Sequence, residues 1–420
     1  MEKFLIKGPC KLKGQINISG SKNAALPILA ATLLFDKPVT IQNLPRVSDI
    51  NTMLNLLRSL GSKIQLSKNK KNVKISKTNR PKTFASYSLV KTMRAGILVL
   101  GPLLARKREA SVSLPGGCAI GARPIDIHID ALTKLGATFE LEKGYIQCSA
   151  PKGLTGNKIE LPKVSVGATE NIVMAASLAS GETEISNIAL EPEVIDLINC
   201  LNTMGAKIEL GDNRSVMIQG VKTLNGSIYS IIPDRIEAGT FIVAALITKG
   251  KLRINNIIIE HLQTPLKVLK KMGAKIKIQK NYIIVDGKNS QLFSSKIKTK
   301  PYPGFPTDLQ AQFMCLFSLI KGKSYIEESV FENRFMHVSE LNRLGAKIFV
   351  KNQNCKIEGV EKLIGAQIMA SDLRASVSLV LAGLVANGET QIDRIYHLDR
   401  GYEKIEKKLR KVGAKIRRVS

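Results

Sequence analysis

The sequence predicts an α/β protein made of six repeats of about 70 residues each, grouped as two domains of three repeats. Three observations lead to this fold class. One short motif recurs six times at a nearly constant spacing, each copy joins an amphipathic helix to a strand, and the repeats also contain helices that are apolar nearly all round. Because a helix without a polar face must be buried on all sides, we expect the apolar helices inside and the sheets outside.

The recurring motif is L-x-x-[LMV]-G-[AS]-[KT]-[IF]. Its copies are LLRSLGSKI (56–64), ALTKLGATF (131–139), CLNTMGAKI (200–208), VLKKMGAKI (268–276), ELNRLGAKI (340–348) and KLRKVGAKI (408–416). Their glycines, Gly61, Gly136, Gly205, Gly273, Gly345 and Gly413, are separated by 75, 69, 68, 72 and 68 residues. Each glycine predicts a helix C-terminus in the left-handed conformation. The lysine and apolar residues that alternate afterwards predict a strand with one buried face.

A second element lies upstream of the motif. Examples are NIVMAASLASGETEISNI (171–188), TFIVAALITKGKLRINNI (240–257), QFMCLFSLIKGKSYIEES (312–329) and SVSLVLAGLVANGETQIDRI (376–395). Each predicts an apolar helix, a glycine turn and a strand. Six such units group most naturally as two domains of three, and we expect a ligand cleft between the domains.

Composition limits the function classes. The chain has 63 basic and 34 acidic residues, a net charge of +29, but only 5% aromatic residues and no tryptophan. Base-stacking nucleic-acid binders interleave aromatic and basic residues, so the charge indicates either a solvated lysine-rich surface or a cationic protein that handles small anions. No apolar stretch approaches the ~20 residues of a membrane span, and residues 1–8 lack a secretory signal. We therefore expect a soluble, cytoplasmic protein.

The six cysteines are dispersed and form no C-x-x-C pair, and the four histidines show no metal-ligand spacing. Metal catalysis is therefore not supported. For most of the cysteines, a buried reduced thiol is expected.

One cysteine differs from the others. In LPGGCAIGARPIDIHI (114–129), Cys118 follows two glycines and has Arg123 five residues further on. A reactive thiolate needs a nearby positive charge and partial exposure, and a guanidinium can bind phosphate through two hydrogen bonds. The segment is either a reactive loop or a buried cysteine in a glycine turn.

Three segments place polar residues before apolar helices. In ISGSKNAALP (18–27), Lys22 and Asn23 lie at a helix N-terminus, which either binds an anion or is simply capped by Ser21 or Asn23. The turn KVSVGAT (163–169) can present amides, hydroxyls and one cation, or is an ordinary turn. Asp308, in PGFPTDLQAQF (303–313), is either an N-cap or a base.

Further charged residues lie near the ends of predicted helices. The segment VFENRFMHVSEL (330–341) carries Glu332, Arg334 and His337, either as a salt-bridged surface turn or as a cleft lining. Asp372 and Arg374 begin the last apolar helix. If the repeats stack around a pseudo-threefold axis, one set of cations points to the same cleft and suits a substrate with several phosphates or carboxylates: Lys22, Arg94, Arg123, Arg334, Arg374 and Arg400.

These motifs resemble one enzyme family. GSKNAALP, LPGGCAIGARPIDIHI, KVSVGAT, PDRIEAGTF, FPTDLQAQF, FENRFMH and SDLRAS are similar, in order and over essentially the whole chain, to segments of the UDP-N-acetylglucosamine 1-carboxyvinyltransferases. The resemblance implies two inside-out α/β barrels, each a prism of three repeats. It also implies transfer of the enolpyruvyl group of phosphoenolpyruvate to the 3′-hydroxyl of UDP-N-acetylglucosamine with release of phosphate, the first committed step of peptidoglycan synthesis.

The resemblance also implies residue roles. Cys118 looks like the proton donor to the methylene carbon of phosphoenolpyruvate and the target of fosfomycin, and Asp308 looks like the base for the 3′-hydroxyl. Lys22, Arg123 and Arg400 resemble a phosphoenolpyruvate clamp. Asp372 and Arg374 resemble residues that order the cleft. The nucleotide-sugar contacts are implied at Asn23, Arg94, Arg123, Pro124, Ile125, Asp126, Ile127, Lys163, Val164, Ser165, Val166, Asp308 and Val330, and the substrate-binding set also includes Lys22, Arg334, Asp372, Arg374 and Arg400.

The resemblance completes the prediction of organisation and partners. One domain, with the cysteine loop, spans residues 22–232, and the other comprises residues 1–21 and 233–420. We expect no cofactor or metal, a monomer, two small-molecule substrates, and no nucleic-acid or membrane partner. Two alternatives remain: a shikimate-pathway enolpyruvyl transferase, which the Cys118 loop disfavours, and an RNA-end-processing protein of the same repeat fold, which the charge favours.

Overall fold

The computed structural model describes residues 2–77, 82–114 and 125–420. In this part of the chain the helices are α1 (Lys22–Ala31), α2 (Ser48–Ser59), α3 (Tyr87–Val90), α4 (Leu100–Lys107), α5 (Asp126–Lys134), α6 (Val166–Ala176), α7 (Pro192–Thr203), α8 (Arg235–Ile247), α9 (Gln263–Lys271), α10 (Gln310–Phe317), α11 (Val338–Arg343), α12 (Leu373–Val385), α13 (Tyr396–Asp399) and α14 (Ile405–Lys411). Short 3₁₀ turns span Thr32–Leu34, Arg94–Val99, Ile259–Leu262 and Thr307–Leu309.

The strands of the described residues alternate with these helices. The first twelve are β1 (Lys3–Gly8), β2 (Lys13–Asn17), β3 (Val39–Gln42), β4 (Lys63–Leu66), β5 (Val73–Ser76), β6 (Phe84–Ala85), β7 (Glu109–Ser113), β8 (Thr138–Glu142), β9 (Tyr145–Ser149), β10 (Lys158–Glu160), β11 (Glu182–Ser186) and β12 (Lys207–Gly211). The others are β13 (Ser215–Gln219), β14 (Ile228–Ser230), β15 (Lys251–Asn255), β16 (Lys275–Ile278), β17 (Tyr282–Asp286), β18 (Lys296–Lys298), β19 (Lys323–Glu327), β20 (Lys347–Lys351), β21 (Asn354–Glu358), β22 (Gln367–Met369), β23 (Gly388–Asp393) and β24 (Ile416–Val419).

The strands form six four-stranded sheets within the described residues, and all six have the same topology. The orders are β14-β3-β5-β4, β6-β7-β9-β8, β10-β11-β13-β12, β2-β15-β17-β16, β18-β19-β21-β20 and β22-β23-β1-β24. In each sheet the first pair is parallel and the next two pairs are antiparallel. The predicted α/β fold of six repeats is therefore confirmed.

The described chain divides into two compact units of three sheets each. The first unit contains residues 20–77, 82–114 and 125–232, and the second contains residues 2–19 and 233–420. Strands distant in sequence complete three of the sheets, since β14 pairs with β3, β2 with β15, and β1 with β23 and β24. Each unit has its own hydrophobic core.

The apolar helices form the inside of each unit. In the second unit α8, α10 and α12 pack on one another, and every residue of α8 after Arg235 is buried. In the first unit α6 packs against α1 and α4. The strands, in contrast, alternate buried and exposed residues, as in β20, where Ile348 is buried and Lys347 is exposed. The predicted order, helices inside and sheets outside, follows from this burial.

The six motif glycines all have positive φ angles, between 93° and 104°. They follow α2, α5, α7, α9, α11 and α14, and each precedes a strand. A residue with a side chain pays a steric cost in this region of φ, which only glycine avoids. The six turns therefore have the conformation that the repeat predicted.

Two of these glycines offer a matched test. A Cβ at Gly136 would meet nothing within 4 Å, whereas a Cβ at Gly273 would collide with the backbone carbonyl oxygen of Gln291. We expect Gly136→Ala to lower the free energy of unfolding by about 1–2 kcal/mol, the cost of the left-handed conformation alone. Gly273→Ala should cost more, because the backbone must also move. Urea unfolding of both variants measures the difference, and equal losses would contradict the steric argument.

The five cysteines within the described residues, Cys10, Cys148, Cys200, Cys315 and Cys355, are buried and unpaired. Burial raises the pKa of Cys148 and of Cys355 to about 12, and it also raises the pKa of the Cys200 and Cys315 thiols. These thiols are protonated at neutral pH, as expected for small hydrophobic residues. None of the helices in the described residues is both long enough and apolar enough to span a membrane.

Candidate active site

In the second unit, polar residues gather at the N-terminal ends of the three inner helices. Asp234 caps α8 by accepting hydrogen bonds from the backbone N–H groups of Ile236 (2.8 Å) and Glu237 (2.9 Å). Asp372 caps α12 in the same way, by accepting hydrogen bonds from the backbone N–H groups of Arg374 and Ala375, both at 3.0 Å. Such caps satisfy the free amides of the first turn and fix where each helix begins.

Asp308 has a different role at the start of α10. It lies in the 3₁₀ turn Thr307–Leu309, and its two carboxylate oxygens accept hydrogen bonds from Arg334 Nη2 at 2.7 Å and Arg374 Nε at 3.0 Å. The two arginine side chains are only 6% and 5% exposed, while the carboxylate is 25% exposed. This geometry is a charge-assisted ion pair rather than an N-cap. It brings together three of the predicted site residues.

The charge of Arg374 is compensated within this cluster. Burial would lower the pKa of Arg374, but the Asp308 carboxylate, followed by Tyr402 and Asp234, outweighs burial and raises it. The guanidinium also lies over the Tyr402 ring, 5.7 Å from its centroid. Because an uncompensated buried charge is costly, this pairing holds Asp308 and Arg374 in one arrangement.

A set of neutral polar groups forms hydrogen bonds beside the Asp308–Arg374 pair. Tyr402 Oη lies 2.9 Å from Thr240 Oγ1, and Gln312 Nε2 donates to Thr240 Oγ1 (3.2 Å) and to the Asp308 carbonyl oxygen (3.0 Å). Burial raises the pKa of the Tyr402 hydroxyl, so it is a neutral hydrogen-bonding group here. Side chains from three separate segments therefore determine where the Asp308 turn lies.

Glu328 shapes the loop beside that turn. It is fully buried and accepts hydrogen bonds from Thr299 Oγ1 (2.9 Å), Thr307 Oγ1 (2.8 Å) and the backbone N–H groups of Val330 (2.9 Å) and Phe331 (3.1 Å). Val330 itself is exposed. One carboxylate thus joins the exposed Val330 loop to the residue that precedes Asp308.

The segment that carries Arg334 and His337 is not a surface turn. Glu332 is exposed, whereas His337 is buried and Arg334 binds Asp308. Burial, opposed by Asp372 and assisted by the Arg334 charge, lowers the pKa of His337 to about 4. His337 is therefore a neutral, buried side chain.

Arg400 lies at the C-terminus of α13, which packs against α12. Burial lowers the pKa of His397, and Arg400 lowers it further, while Asp372 raises it. The charges of Arg400 and Asp372, both predicted site residues, therefore act on the pKa of His397 in opposite directions. In the second unit, the fold gathers Asp308, Val330, Arg334, Asp372 and Arg374 near the starts of α10 and α12, and Arg400 follows α13.

In the first unit, Lys22 is the first residue of α1 and is buried. Its Nζ forms an ion pair with Asp49 Oδ2 at 3.3 Å. The Ser21 hydroxyl caps the helix by accepting a hydrogen bond from the Ala24 N–H. Asn23 follows and is half-buried. The expected capping by Ser21 and a cation at the helix start are thus both present.

A second cluster of the first unit joins α4, α5 and α6. Asn171 accepts a hydrogen bond from the Gly101 N–H (2.7 Å), donates to the Ile97 carbonyl oxygen (3.0 Å) and lies 3.1 Å from His128 Nδ1. Burial, together with the smaller effect of the Arg94 charge, lowers the pKa of His128 to about 4. The neutral histidine links α5 to α6 through Asn171.

The remaining predicted contacts lie at two helix starts of this unit. Asp126 and Ile127 begin α5 after Ile125, and the half-buried Ser165 caps α6 by accepting from the Ala168 N–H. Around Ser165, Lys163 and Val166 are exposed and Val164 is half-buried. Cys118, Arg123 and Pro124 lie outside the described residues.

Sequence reasoning missed the residues that support the site: Asp49, Asn171, Thr240, Thr307, Gln312, Glu328 and Tyr402. A signal was available for three of them. Asn171, Thr240 and Gln312 are polar residues inside helices that are otherwise apolar, and buried polar groups are rarely without partners. Glu328 and Asp49 had no local signal, since their side-chain partners lie 21 or more residues away.

The buried His128 predicts a pH dependence of stability. Its pKa of about 4 in the folded protein is below the ordinary value of 6.5, so the unfolded chain binds more protons between these values and stability falls as the pH falls. Between pH 7 and pH 5 this residue should remove about 2 kcal/mol. In His128→Gln, the loss of unfolding free energy over this range should be smaller by that amount. Urea unfolding at both pH values measures it, and an unchanged loss would contradict the prediction.

Comparison with known proteins places this chain among carboxyvinyltransferases. Residues 6–409 match the family described as EPSP synthase (3-phosphoshikimate 1-carboxyvinyltransferase). A UDP-N-acetylglucosamine 1-carboxyvinyltransferase of Pelagibacter ubique (strain HTCC1062) is 58% identical over 420 residues, which is 100% of both chains. A protein of the same name from Pseudoalteromonas atlantica (strain T6c / ATCC BAA-1087) is 52% identical over 419 residues, again covering 100% of each chain.

A solved structure supports the fold. The crystal structure of the enolpyruvyl transferase NikO from Streptomyces tendae has a TM-score of 0.91 to this chain, with 24% sequence identity. The similarity covers 100% of this chain and 99% of that chain.

Proposed function

This chain belongs to the carboxyvinyltransferase family that includes EPSP synthase, and we propose that it transfers the enolpyruvyl group of phosphoenolpyruvate to UDP-N-acetylglucosamine. The observation that carries the proposal is the 58% identity, over the whole length of both chains, to a UDP-N-acetylglucosamine 1-carboxyvinyltransferase. The reaction releases phosphate and is the first committed step of peptidoglycan synthesis.

The reaction is an addition followed by an elimination. In the addition, the 3′-hydroxyl oxygen of the sugar forms a bond to C2 of phosphoenolpyruvate, and the methylene carbon C3 takes a proton. In the elimination, a proton leaves C3, the double bond re-forms and the C–O bond to phosphate breaks. The reaction therefore needs a base for the hydroxyl, an acid for C3 and positive charges for the anions.

Asp308 is the proposed base. Its carboxylate is the most exposed member of the Asp308–Arg334–Arg374 cluster, so it is the member that a hydroxyl can reach. The two guanidinium groups fix its orientation through charge-assisted hydrogen bonds. Proton transfer to this carboxylate needs the sugar hydroxyl within hydrogen-bond distance.

Cys118 is the proposed acid for C3, and Lys22, Arg123 and Arg400 are the proposed contacts of phosphoenolpyruvate. The Lys22 ammonium at the start of α1 supports this assignment, because it places a cation, paired with Asp49, at a helix N-terminus that already attracts anions. The other proposed substrate contacts within the described residues begin buried helices or flank them: Asn23, Arg94, Ile125, Asp126, Ile127, Lys163, Val164, Ser165 and Val166 in the first unit, and Val330, Arg334, Asp372 and Arg374 in the second. Pro124 belongs to the same proposed set.

We further propose that the protein acts as a cytoplasmic monomer on these two small-molecule substrates, without a nucleic-acid or membrane partner. The division into a domain of residues 22–232 and a domain of residues 1–21 and 233–420 is part of the same proposal.

The test is phosphate release from phosphoenolpyruvate, measured with and without UDP-N-acetylglucosamine. Release that depends on the nucleotide sugar is expected. Phosphate release that depends on shikimate 3-phosphate as the acceptor would favour the shikimate-pathway alternative. The family match alone is compatible with either acceptor. Salt-dependent RNA binding without turnover on either acceptor would favour the RNA-processing alternative.

A further inference from the structure

The first unit contains a pocket that the proposed reaction does not use. It has a volume of about 230 Å³. Its floor is apolar and its rim is basic. The floor includes Leu33, Phe35, Leu60, Ile75, Pro102 and Leu103. The rim carries Lys37, Lys77, Lys82, Arg106 and Lys107.

The pocket lies at the opposite end of α1 from Lys22. Lys22 is the first residue of this helix, whereas Thr32 and Leu33, in the 3₁₀ turn that continues it, line the pocket. With a rise of 1.5 Å per residue, ten residues of helix separate the two places by about 15 Å. A ligand in this pocket is therefore distinct from an anion bound at Lys22.

The rim carries more positive charge than its neighbours balance. None of the described residues that line the pocket is acidic. Asp36, next to the rim, forms ion pairs with Lys77 at 2.7 Å and with Arg106. Burial would raise the pKa of Asp36, but these two partners lower it. One carboxylate thus offsets two of the five cations.

Lys107 experiences the excess charge directly. Burial lowers the pKa of this lysine, and the nearby charges of Arg106 and Lys77 lower it further. Cations at the C-terminal end of a helix such as α4 are commonly stabilised by the helix dipole. That explanation does not cover Lys37, Lys77 and Lys82, which come from three other segments and converge on the same opening.

We infer that this pocket binds a small amphipathic anion, an alkyl or aryl phosphate whose apolar part occupies the floor and whose phosphate contacts the rim. The apolar floor distinguishes this ligand from inorganic phosphate, which gains nothing from Phe35 or Leu103. The volume is below the ~300–1,000 Å³ of sites for drug-sized ligands, so the apolar part is a short chain or a single ring. The hydroxyls of Thr32, Ser62 and Ser76 in the lining can contribute hydrogen bonds.

The experiment is calorimetric titration with hexyl phosphate at low ionic strength. The test variant is the double substitution Lys37→Ser with Lys107→Ser, which leaves both ion pairs of Asp36 intact. The matched control is Lys152→Ser with Lys222→Ser, two exposed lysines of the same unit outside the pocket lining that change the net charge equally. Inorganic phosphate and 1-hexanol serve as comparison ligands.

We expect saturable binding of hexyl phosphate by the wild type and the control, and at least tenfold weaker binding by the test variant. Phosphate and hexanol should each bind at least tenfold more weakly than hexyl phosphate. Carboxyvinyl transfer should stay within twofold of wild type in both variants, which shows that they are folded. Unchanged affinity in the test variant, an equal loss in the control, equally tight binding of inorganic phosphate, or no saturable binding would each overturn the inference.

Discussion

Asp308→Asn is expected to lower kcat by about two to four orders of magnitude, the usual contribution of a general base. Asparagine keeps the size of the side chain but cannot accept the hydroxyl proton. Binding of UDP-N-acetylglucosamine should weaken less than tenfold, because most of the proposed contacts lie on other residues. Steady-state kinetics and calorimetric binding of the nucleotide sugar measure the two effects separately.

The substitution also removes the charge that compensates Arg334 and Arg374, so stability must be measured alongside activity. Asp286→Asn is a suitable control in the same unit, since Asp286 also pairs with a basic residue, Lys251, at 3.8 Å but lies on β17. The control should retain wild-type kcat. A folded Asp308→Asn protein with kcat within threefold of wild type would exclude Asp308 as the base.

Cys118→Ala is expected to abolish or severely impair turnover near neutral pH while leaving nucleotide-sugar binding largely intact. Alanine removes the proposed proton donor for C3, whereas the contacts to the nucleotide remain. Cys118→Asp should retain activity, because a carboxylic acid can also donate a proton, and it should resist fosfomycin, which alkylates a thiol. The measurements are phosphate release with and without fosfomycin. Full activity of the alanine variant, or fosfomycin sensitivity of the aspartate variant, would contradict these roles.

Cys355→Ala provides the matched control. Cys355 is only 2% exposed, and burial raises the pKa of its thiol to about 12, so it is neither accessible nor ionised at neutral pH. Its removal should leave both turnover and fosfomycin sensitivity unchanged. Loss of fosfomycin sensitivity in this variant would mean that the inhibitor does not act through Cys118 alone.

The repeat could be predicted from the sequence because its signals are local. A glycine after an amphipathic helix indicates a left-handed turn, whichever unit it belongs to, and all six motif glycines adopt positive φ. Helices without a polar face, such as α8, indicate burial from composition alone. The positions of Lys22, Asp308 and Arg374 at helix starts follow from the same patterns.

The partners of these residues could not be predicted in this way. Arg334 and Arg374 lie 26 and 66 residues from Asp308, and Asp49 lies 27 residues from Lys22. Periodicity reports whether a position is buried but carries no information on which distant charge compensates it. From the sequence, Asp308 was either an N-cap or a base, and its ion pairs with Arg334 and Arg374 were not predicted.

The sequence by itself thus determined the six-unit architecture, the inner helices and the family, because each depends on short-range patterns or on similarity along the chain. The tertiary structure decided how the sheets are completed, with β1 joining β23 and β24 from the other end of the chain, and which groups fix Asp308. It also decided which five basic residues meet at the far end of α1, in a pocket with an apolar floor. These features depend on contacts between segments distant in sequence, which only folding brings together.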